Sequence, residues 1–193
     1  MSQITKQALA SSLRKLLEEK PLDKITVVDV AEDCGVNRQT FYYHFRDIYD
    51  LVDWFFAAET TRALEGKETY DTWQEGFLRI FAWVQENRTL VVNAYRSVSR
   101  EQVEQYLYQV TYRLLYGVVE ERAAGMAVRQ EDKEFIAHFY KYGFVGLMLD
   151  WIRGGLKGDP ERIVSRLDLM IRGDIPQALE RYRTDTSDVK HQS

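Results

Sequence analysis

Residues Ile25 to Phe45 read ITVVDVAEDCGVNRQTFYYHF, and this stretch decides the fold. Thr26 stands before a short helical run, Val27 to Cys34, and its hydroxyl can accept a hydrogen bond from an unpaired first-turn amide. Val27, Val30, Ala31 and Cys34 fall at i, i+3, i+4 and i+7, one apolar face of a helix. Gly35 follows, where a helix end favours the left-handed conformation that glycine adopts cheaply. Asn37 then caps a second helix, in which Phe41 and Phe45 face inward with Val36. Arg38, Gln39, Thr40, Tyr42, Tyr43 and His44 are left to face outward or to flank the core. Two short helices around a tight turn are how a protein presents a helix to the major groove of DNA. Arg suits guanine and Gln adenine through paired hydrogen bonds, while Thr, Tyr and His suit phosphates or the thymine methyl group. A surface helix of any all-helical protein would carry a similar pattern, so the helix-turn-helix reading needs a more specific signal.

Val30-Ala31, Cys34-Gly35-Val36-Asn37, Thr40-Phe41-Tyr42-Tyr43-His44-Phe45 and Leu51 supply it. They resemble the TetR family of bacterial transcriptional regulators, whose pattern is T-x-x-x-I-A-x-x-A-G-V-S-x-x-T-L-Y-x-H-F-x-x-K-x-x-L. The specific part of the resemblance covers residues 5 to 55. The run N-R-Q-T-F-Y-Y-H-F-R-D-I-Y-D-L is also similar to the branch containing regulators of dihydroxyacetone kinase operons. The resemblance implies DNA contacts from Thr26 and Val28 at the start of the second helix. It implies base contacts from Arg38, Gln39 and Thr40, and phosphate or sugar contacts from Tyr42 and His44, with Tyr43 beside them. The family's Lys after the His-Phe pair is Ile48 here, and Arg46 is the candidate to replace that phosphate contact. Asn37 replaces the family's Ser cap, and Cys34 its small Ala.

Composition agrees. With 193 residues, the chain is long enough for a small head on a larger body. A 45% hydrophobic fraction suits a globular protein, and three prolines among 193 residues leave helices unbroken. A net charge of −4 argues against broad nonspecific binding to nucleic acid. A sequence-specific reader can still be acidic overall if its footprint is basic. Arg14, Lys15, Lys24, Arg38 and Arg46 could supply that footprint. Asp29, Glu32, Asp33 and Asp47 weaken it, so a modest salt dependence is expected. No apolar run is long enough to span a bilayer, and the N-terminus lacks a basic-then-apolar export signal. The expected location is the cytoplasm. Cys34 is the single cysteine, so no intrachain disulfide forms. A small buried residue at a helix end is favoured for it over a redox sensor. His44, His138 and His191 show no metal spacing, and no phosphate loop or nucleophile motif is present. Neither an enzyme nor a cofactor is expected.

Periodicity predicts an all-α chain of about nine helices: an N-terminal three-helix helix-turn-helix head on a C-terminal antiparallel helical bundle. The expected division is a DNA-binding domain over 1–46, an effector-binding and dimerisation domain over 47–183, and a disordered polar tail over 184–193. Thr5 caps the first helix, which buries Leu9, Leu13, Leu16 and Leu17. A longer helix from Ile48 ends at Gly66. Ser99 with Gln102 makes a capping box for a central helix. That helix carries two apolar stripes, a sign of burial on more than one side.

The resemblance further implies a homodimer built from two C-terminal helices of each copy. Phe144, Met148, Trp151, Ile163, Leu167 and Met170 are the candidates for that interface, the other reading being that they fill the monomer core. Two heads would read a palindrome in double-stranded DNA, with half-site centres about 34 Å apart or a multiple of that. The family holds a small molecule between body helices. Here the candidate lining is Trp73, Phe77, Tyr112, Tyr116, His138 and Tyr142, although aromatic stripes at helical spacing are more often core. Repression relieved by a small ligand is the default. An activator with a protein co-regulator and a helical adaptor without DNA binding are the alternatives.

Overall fold

A computed structural model describes residues 2–63, 69–95, 100–171 and 173–185. Those residues form ten α-helices in chain order: α1 Ser2–Glu19, α2 Val27–Asp33, α3 Arg38–His44, α4 Ile48–Ala63, α5 Trp73–Glu86, α6 Arg88–Tyr95, α7 Arg100–Arg122, α8 Gln130–Arg153, α9 Pro160–Ile171 and α10 Asp174–Arg181. A single 3-10 turn, Leu22–Lys24, joins α1 to α2. The fold is all-α. The expected helix end at Gly66 and the capping residue Ser99 lie outside the described residues.

Packing divides the chain into two units, Met1–Arg62 with Val84–Tyr106, and Ala63–Trp83 with Leu107–Ser193. The sequence expectation placed the boundary after residue 46. Grouped by packing, α4, α6 and the first turns of α7 go with the head.

In the first unit, α1 packs on α2, α3 and α6. Leu9, Leu13, Leu16 and Leu17 are buried along one side of α1, as their spacing predicts. Asn93 Nδ2 on α6 donates to the Leu17 carbonyl at 3.2 Å and so ties α6 to the end of α1. Val30 and Ala31 of α2 and Phe41 and Phe45 around α3 complete the core of the head. The turn between α2 and α3 depends on Gly35, whose φ of +72° lies where a side chain would be strained. Ile48, Leu51, Val52, Phe55 and Phe56 continue the buried run along α4. Phe45 meets Trp54 edge-on at 6.0 Å, and Phe56 meets Tyr106 at 5.0 Å.

In the second unit, Phe77 of α5 meets Phe81 at 5.1 Å and Phe144 of α8 at 4.8 Å, and Phe81 meets Trp151 at 4.9 Å. This cluster forms because α5 places Trp73, Phe77, Ile80 and Phe81 at helical spacing, and all four are buried. Helix α7 buries Val110, Leu114, Leu115, Val118 and Val119 and leaves Tyr112 and Tyr116 half-buried. On α8 the sequence offered two apolar faces. The side carrying Phe144, Met148 and Trp151 is buried, whereas Phe135, Phe139 and Tyr142 are exposed.

Thr184, expected at the start of the polar tail, is held by hydrogen bonds. Thr184 donates to the Ala127 carbonyl from its amide at 2.9 Å and from its hydroxyl at 2.8 Å. Arg183 forms an isolated antiparallel bridge with Val128. Polar composition hid this tie because its acceptor is a backbone carbonyl distant in sequence. No helix among the described residues is long and apolar enough to cross a membrane.

Truncating Phe41, fully buried beneath α3, is expected to cost about 3–5 kcal/mol. Urea unfolding of Phe41→Ala, followed by circular dichroism, measures the loss.

Candidate nucleic-acid interface

Caps set the starts of α2 and α3. Thr26 and Asp29 form a reciprocal capping box at α2: the Asp29 amide donates to Thr26 Oγ1 at 3.2 Å, and the Thr26 amide donates to Asp29 Oδ2 at 2.7 Å. Asn37 caps α3, its Oδ1 accepting from the Thr40 amide at 2.8 Å and from the Thr40 hydroxyl at 3.0 Å. The Thr26 hydroxyl likewise donates to Asp29, at 2.9 Å. Both threonine protons are therefore committed within the head. Thr40 presents lone pairs and a methyl group, which suits a thymine methyl better than a phosphate oxygen.

Arg38 and Gln39 open α3, are exposed, and have no intrachain polar partner among the described residues. Tyr42 is 56% exposed with its ring edge-on to Phe41 at 5.7 Å, and Tyr43 is 81% exposed with its ring edge-on to His44 at 4.9 Å. One face of a seven-residue helix thus carries a fork-shaped cation, an amide and two phenols. The opposite face is anchored by Phe41. Val28 is half-buried on α2.

Several cations near this surface are already engaged. Lys15 pairs with Asp33, and Lys20 with Asp29 at 3.1 Å. Arg46 reaches Asp50 at 3.3 Å while its amide donates to the same carboxylate at 2.9 Å. The position where the resemblance expects Lys is Ile48, which is buried. Arg14, Lys24 and Arg38 carry no ion pair among the described residues, which leaves three of the five expected footprint cations unpaired there.

The six candidate ligand residues do not share one site. Trp73 and Phe77 are buried and touch Phe144 at 5.6 and 4.8 Å. The other four gather elsewhere on α7 and α8. Tyr112 stacks on Tyr116 at 5.6 Å and on His138 at 4.4 Å, and Tyr142 meets Tyr108 edge-on at 5.6 Å. Lys141 lies among these rings, its ammonium 4.6 Å from the Tyr142 centroid, 5.3 Å from Tyr108 and 5.7 Å from Tyr112. It is 8% exposed and sits 2.9 Å from His138 Nδ1. Such ring contacts contribute about 0.5–2 kcal/mol each, whereas burying an ion costs several kcal/mol. The sequence reading missed Lys141. Its signal was a lysine one turn after His138 in an aromatic run.

The six candidate interface residues also separate. Phe144, Met148 and Trp151 are buried inside the second unit, which is the monomer-core alternative. Leu167 is buried, Ile163 half-buried and Met170 exposed. The exposed apolar residues of α8 and α9 are instead Phe135, Phe139, Tyr142, Leu147, Leu169 and Met170.

Comparison with known proteins gives two family matches. Residues 71–173, more than half of the chain, match the model described as "Transcriptional regulator C-terminal region", and residues 9–53 match "Bacterial regulatory proteins, tetR family". The chain belongs to the TetR family. TetR-family members are transcriptional regulators that bind DNA and ligands and form dimers. One curated TetR-family relative is the HTH-type dhaKLM operon transcriptional activator DhaS of Lactococcus lactis subsp. lactis (strain IL1403). It is 26% identical over 85 residues, 44% of this chain and 46% of that protein. The match thus spans about half the length of that relative. Among solved structures, the dihydroxyacetone kinase operon activator DhaS aligns with a TM-score of 0.66 at 19% identity, over 94% of this chain and 99% of that one. NalD, the secondary repressor of the MexAB-OprM multidrug efflux pump in Pseudomonas aeruginosa, aligns at 0.56 with 17% identity, over 89% and 96% of the two chains. The TetR family repressor AlkX from Dietzia sp. strain DQ12-45-1b aligns at 0.55 with 18% identity, over 93% and 98%. These structural likenesses establish the TetR fold.

The caps impose a pH dependence. The amide and hydroxyl of Thr26, then the Lys20 ammonium, hold Asp29 below its ordinary carboxylate range. A carboxylate lowered in the folded state gives stability that is present above its unfolded pKa and lost as pH falls through the folded one. Thermal melts of the wild type should therefore fall as pH drops below the ordinary carboxylate range. Asp29→Asn should melt earlier at neutral pH and lose part of that acid dependence.

Proposed function

We propose that this TetR-family chain is a homodimeric regulator that reads a palindromic operator in double-stranded DNA, in the bacterial cytoplasm, through the first turn of α3. The observation that carries the reading is the pairing of opposite faces on one short helix. Arg38 and Gln39 stand exposed without intrachain polar partners, while Phe41 beneath them is wholly buried. A side chain kept free of internal partners, on a backbone held rigid by packing and capping, is suited to base-edge recognition. Tyr42, Tyr43 and His44 face the flanking backbone. Arg46 contributes less than an unpaired cation would, because Asp50 holds it.

Dimerisation is assigned to the exposed apolar residues of α8 and α9 rather than to Phe144, Met148 and Trp151. Phe139, Leu147, Leu169 and Met170 would be covered by the same face of a second copy. Gly143 and Gly146 lie between them, and a Cβ at either would meet nothing within 4 Å in this chain. Glycine costs about 1 kcal/mol in a helix interior, and close approach of a neighbouring helix gives these two a purpose.

The default sign is repression relieved by an effector in the body. An effector that binds one head spacing better than the other shifts the population, and linkage requires DNA to alter effector affinity by the same factor. Activation with a protein co-regulator is the second reading, and the match to a transcriptional activator supports its sign alone.

Selection from random duplex DNA should return a palindrome. Arg38→Ala and Gln39→Ala should each lose about 1–3 kcal/mol of preference at one base position of each half-site, and Tyr42→Phe should weaken all sites alike. Uniform loss for Arg38→Ala would make that residue a phosphate contact. In analytical ultracentrifugation, Leu169→Asp with Met170→Asp should convert the dimer to monomer, whereas a dimer that persists would move the interface elsewhere. A reporter fused to the selected operator then fixes the sign.

A further inference from the structure

Lys141 is a buried cation whose surroundings are incomplete. It touches the faces of Tyr108, Tyr112 and Tyr142 and the Nδ1 atom of His138, and no carboxylate pairs with it among the described residues. The acids nearby are otherwise engaged. Glu120 on α7 accepts from Tyr116 at 2.7 Å and from Lys133 at 3.1 Å. Glu134, the carboxylate facing Tyr112, accepts from Gln130 at 2.9 Å. Asp132 pairs with Arg129 at 3.0 Å. An ammonium among rings, with His138 as its one hydrogen-bonding neighbour, lacks the anion that buried charges ordinarily have.

Three further features complete a site. The hydroxyls of Tyr108, Tyr112 and Tyr142 make no intrachain hydrogen bond among the described residues, and none of them is wholly buried, so they remain free to donate. Tyr116, Tyr112 and His138 form a run of near-parallel rings, inclined by 25° and 27° at successive steps. His138 and Tyr142 are exposed, which gives a small molecule access from solvent. A cation, free phenol donors and a flat aromatic surface together match a planar ring that carries one carboxylate.

We propose that the cluster around Lys141 binds the carboxylate of a small aromatic acid, with the ring of the acid lying against the tyrosine and histidine stack. This rests on reading the body as the effector-sensing part of the chain, and it names the effector's chemical class. Four residues of the candidate lining, Tyr112, Tyr116, His138 and Tyr142, take part. Trp73 and Phe77 do not. Carboxylate binding would complete the environment of Lys141 and brace α7 against α8.

The test is calorimetric titration of the full chain with benzoate and, separately, with benzamide, which has nearly the same shape without the charge. Saturable benzoate binding at least tenfold tighter than benzamide is expected. Lys141→Met should abolish that preference and Lys141→Arg should keep it. Equal affinities for the two probes, no benzoate binding at millimolar concentration, or a preference that survives in Lys141→Met would each overturn the proposal. If Lys141→Met does not fold, the two probes on the wild-type chain decide alone. Repeating the titration with the selected operator separates the two readings. Benzoate preference with unchanged operator affinity would overturn the effector role assigned to the site. Failure to select any operator, with benzoate preference intact, would overturn the regulator reading and leave the site standing.

Discussion

The head depends on one constraint, the burial of Phe41 and Phe45 beneath a helix of seven residues. Helices this short do not persist in water on their own, because nucleation is costly and few hydrogen bonds follow it. Helix α3 therefore takes its position from α1 and α2, which pack on it. The caps at Thr26 and Asn37 satisfy amides that packing leaves open. Every outward residue of α3 inherits its direction from that inner contact. A loss of packing at Phe41 would scatter Arg38 and Gln39 without touching either.

Electrostatics in the head are economical. Two of its lysines are tied to acids of α2, and Arg46 to an acid of α4. These exposed pairs add little stability, but they lower the positive field available to phosphates. Binding would then lean on the residues without such partners, chiefly Arg38 and Gln39, and on two helices brought together by dimerisation. That balance favours specificity over bulk affinity, consistent with a chain of net charge −4.

The body has the opposite arrangement at Lys141, where a cation is buried and no carboxylate among the described residues pairs with it. The carboxylates on α7 and α8 engage Lys133, Gln130 and Arg129 instead. The aromatic residues expected to line one cavity belong to two environments. Trp73 and Phe77 close the core with Phe144, while Tyr112 and Tyr142, with Tyr108, surround an ion. The same residue types thus serve packing in one place and polar chemistry in another.

Much of the head was legible in the sequence. Thr26, Gly35, Asn37, Phe41 and Phe45 act through local rules, a cap, a left-handed turn, a second cap and a four-residue spacing, so each can be read without knowing what lies across from it. The outward residues of α3 followed by elimination. The body was less legible because its helices carry apolar residues on more than one side. Periodicity placed Phe144, Met148 and Trp151 together on α8 and Phe139 and Tyr142 on another face, but it could not say which face meets α5 and which meets solvent. Lys141 escaped for a related reason: a lysine in a helix reads as solvent-facing until neighbouring rings are known. The tie of Thr184 to Ala127 runs to a backbone carbonyl, an acceptor that every residue carries. Residue identity by itself determined the all-α class, the caps at Thr26 and Asn37 and the turn at Gly35. Only the tertiary structure decided which apolar faces are core, which cations are engaged and which aromatic rings share a site, because those are properties of pairs distant in sequence.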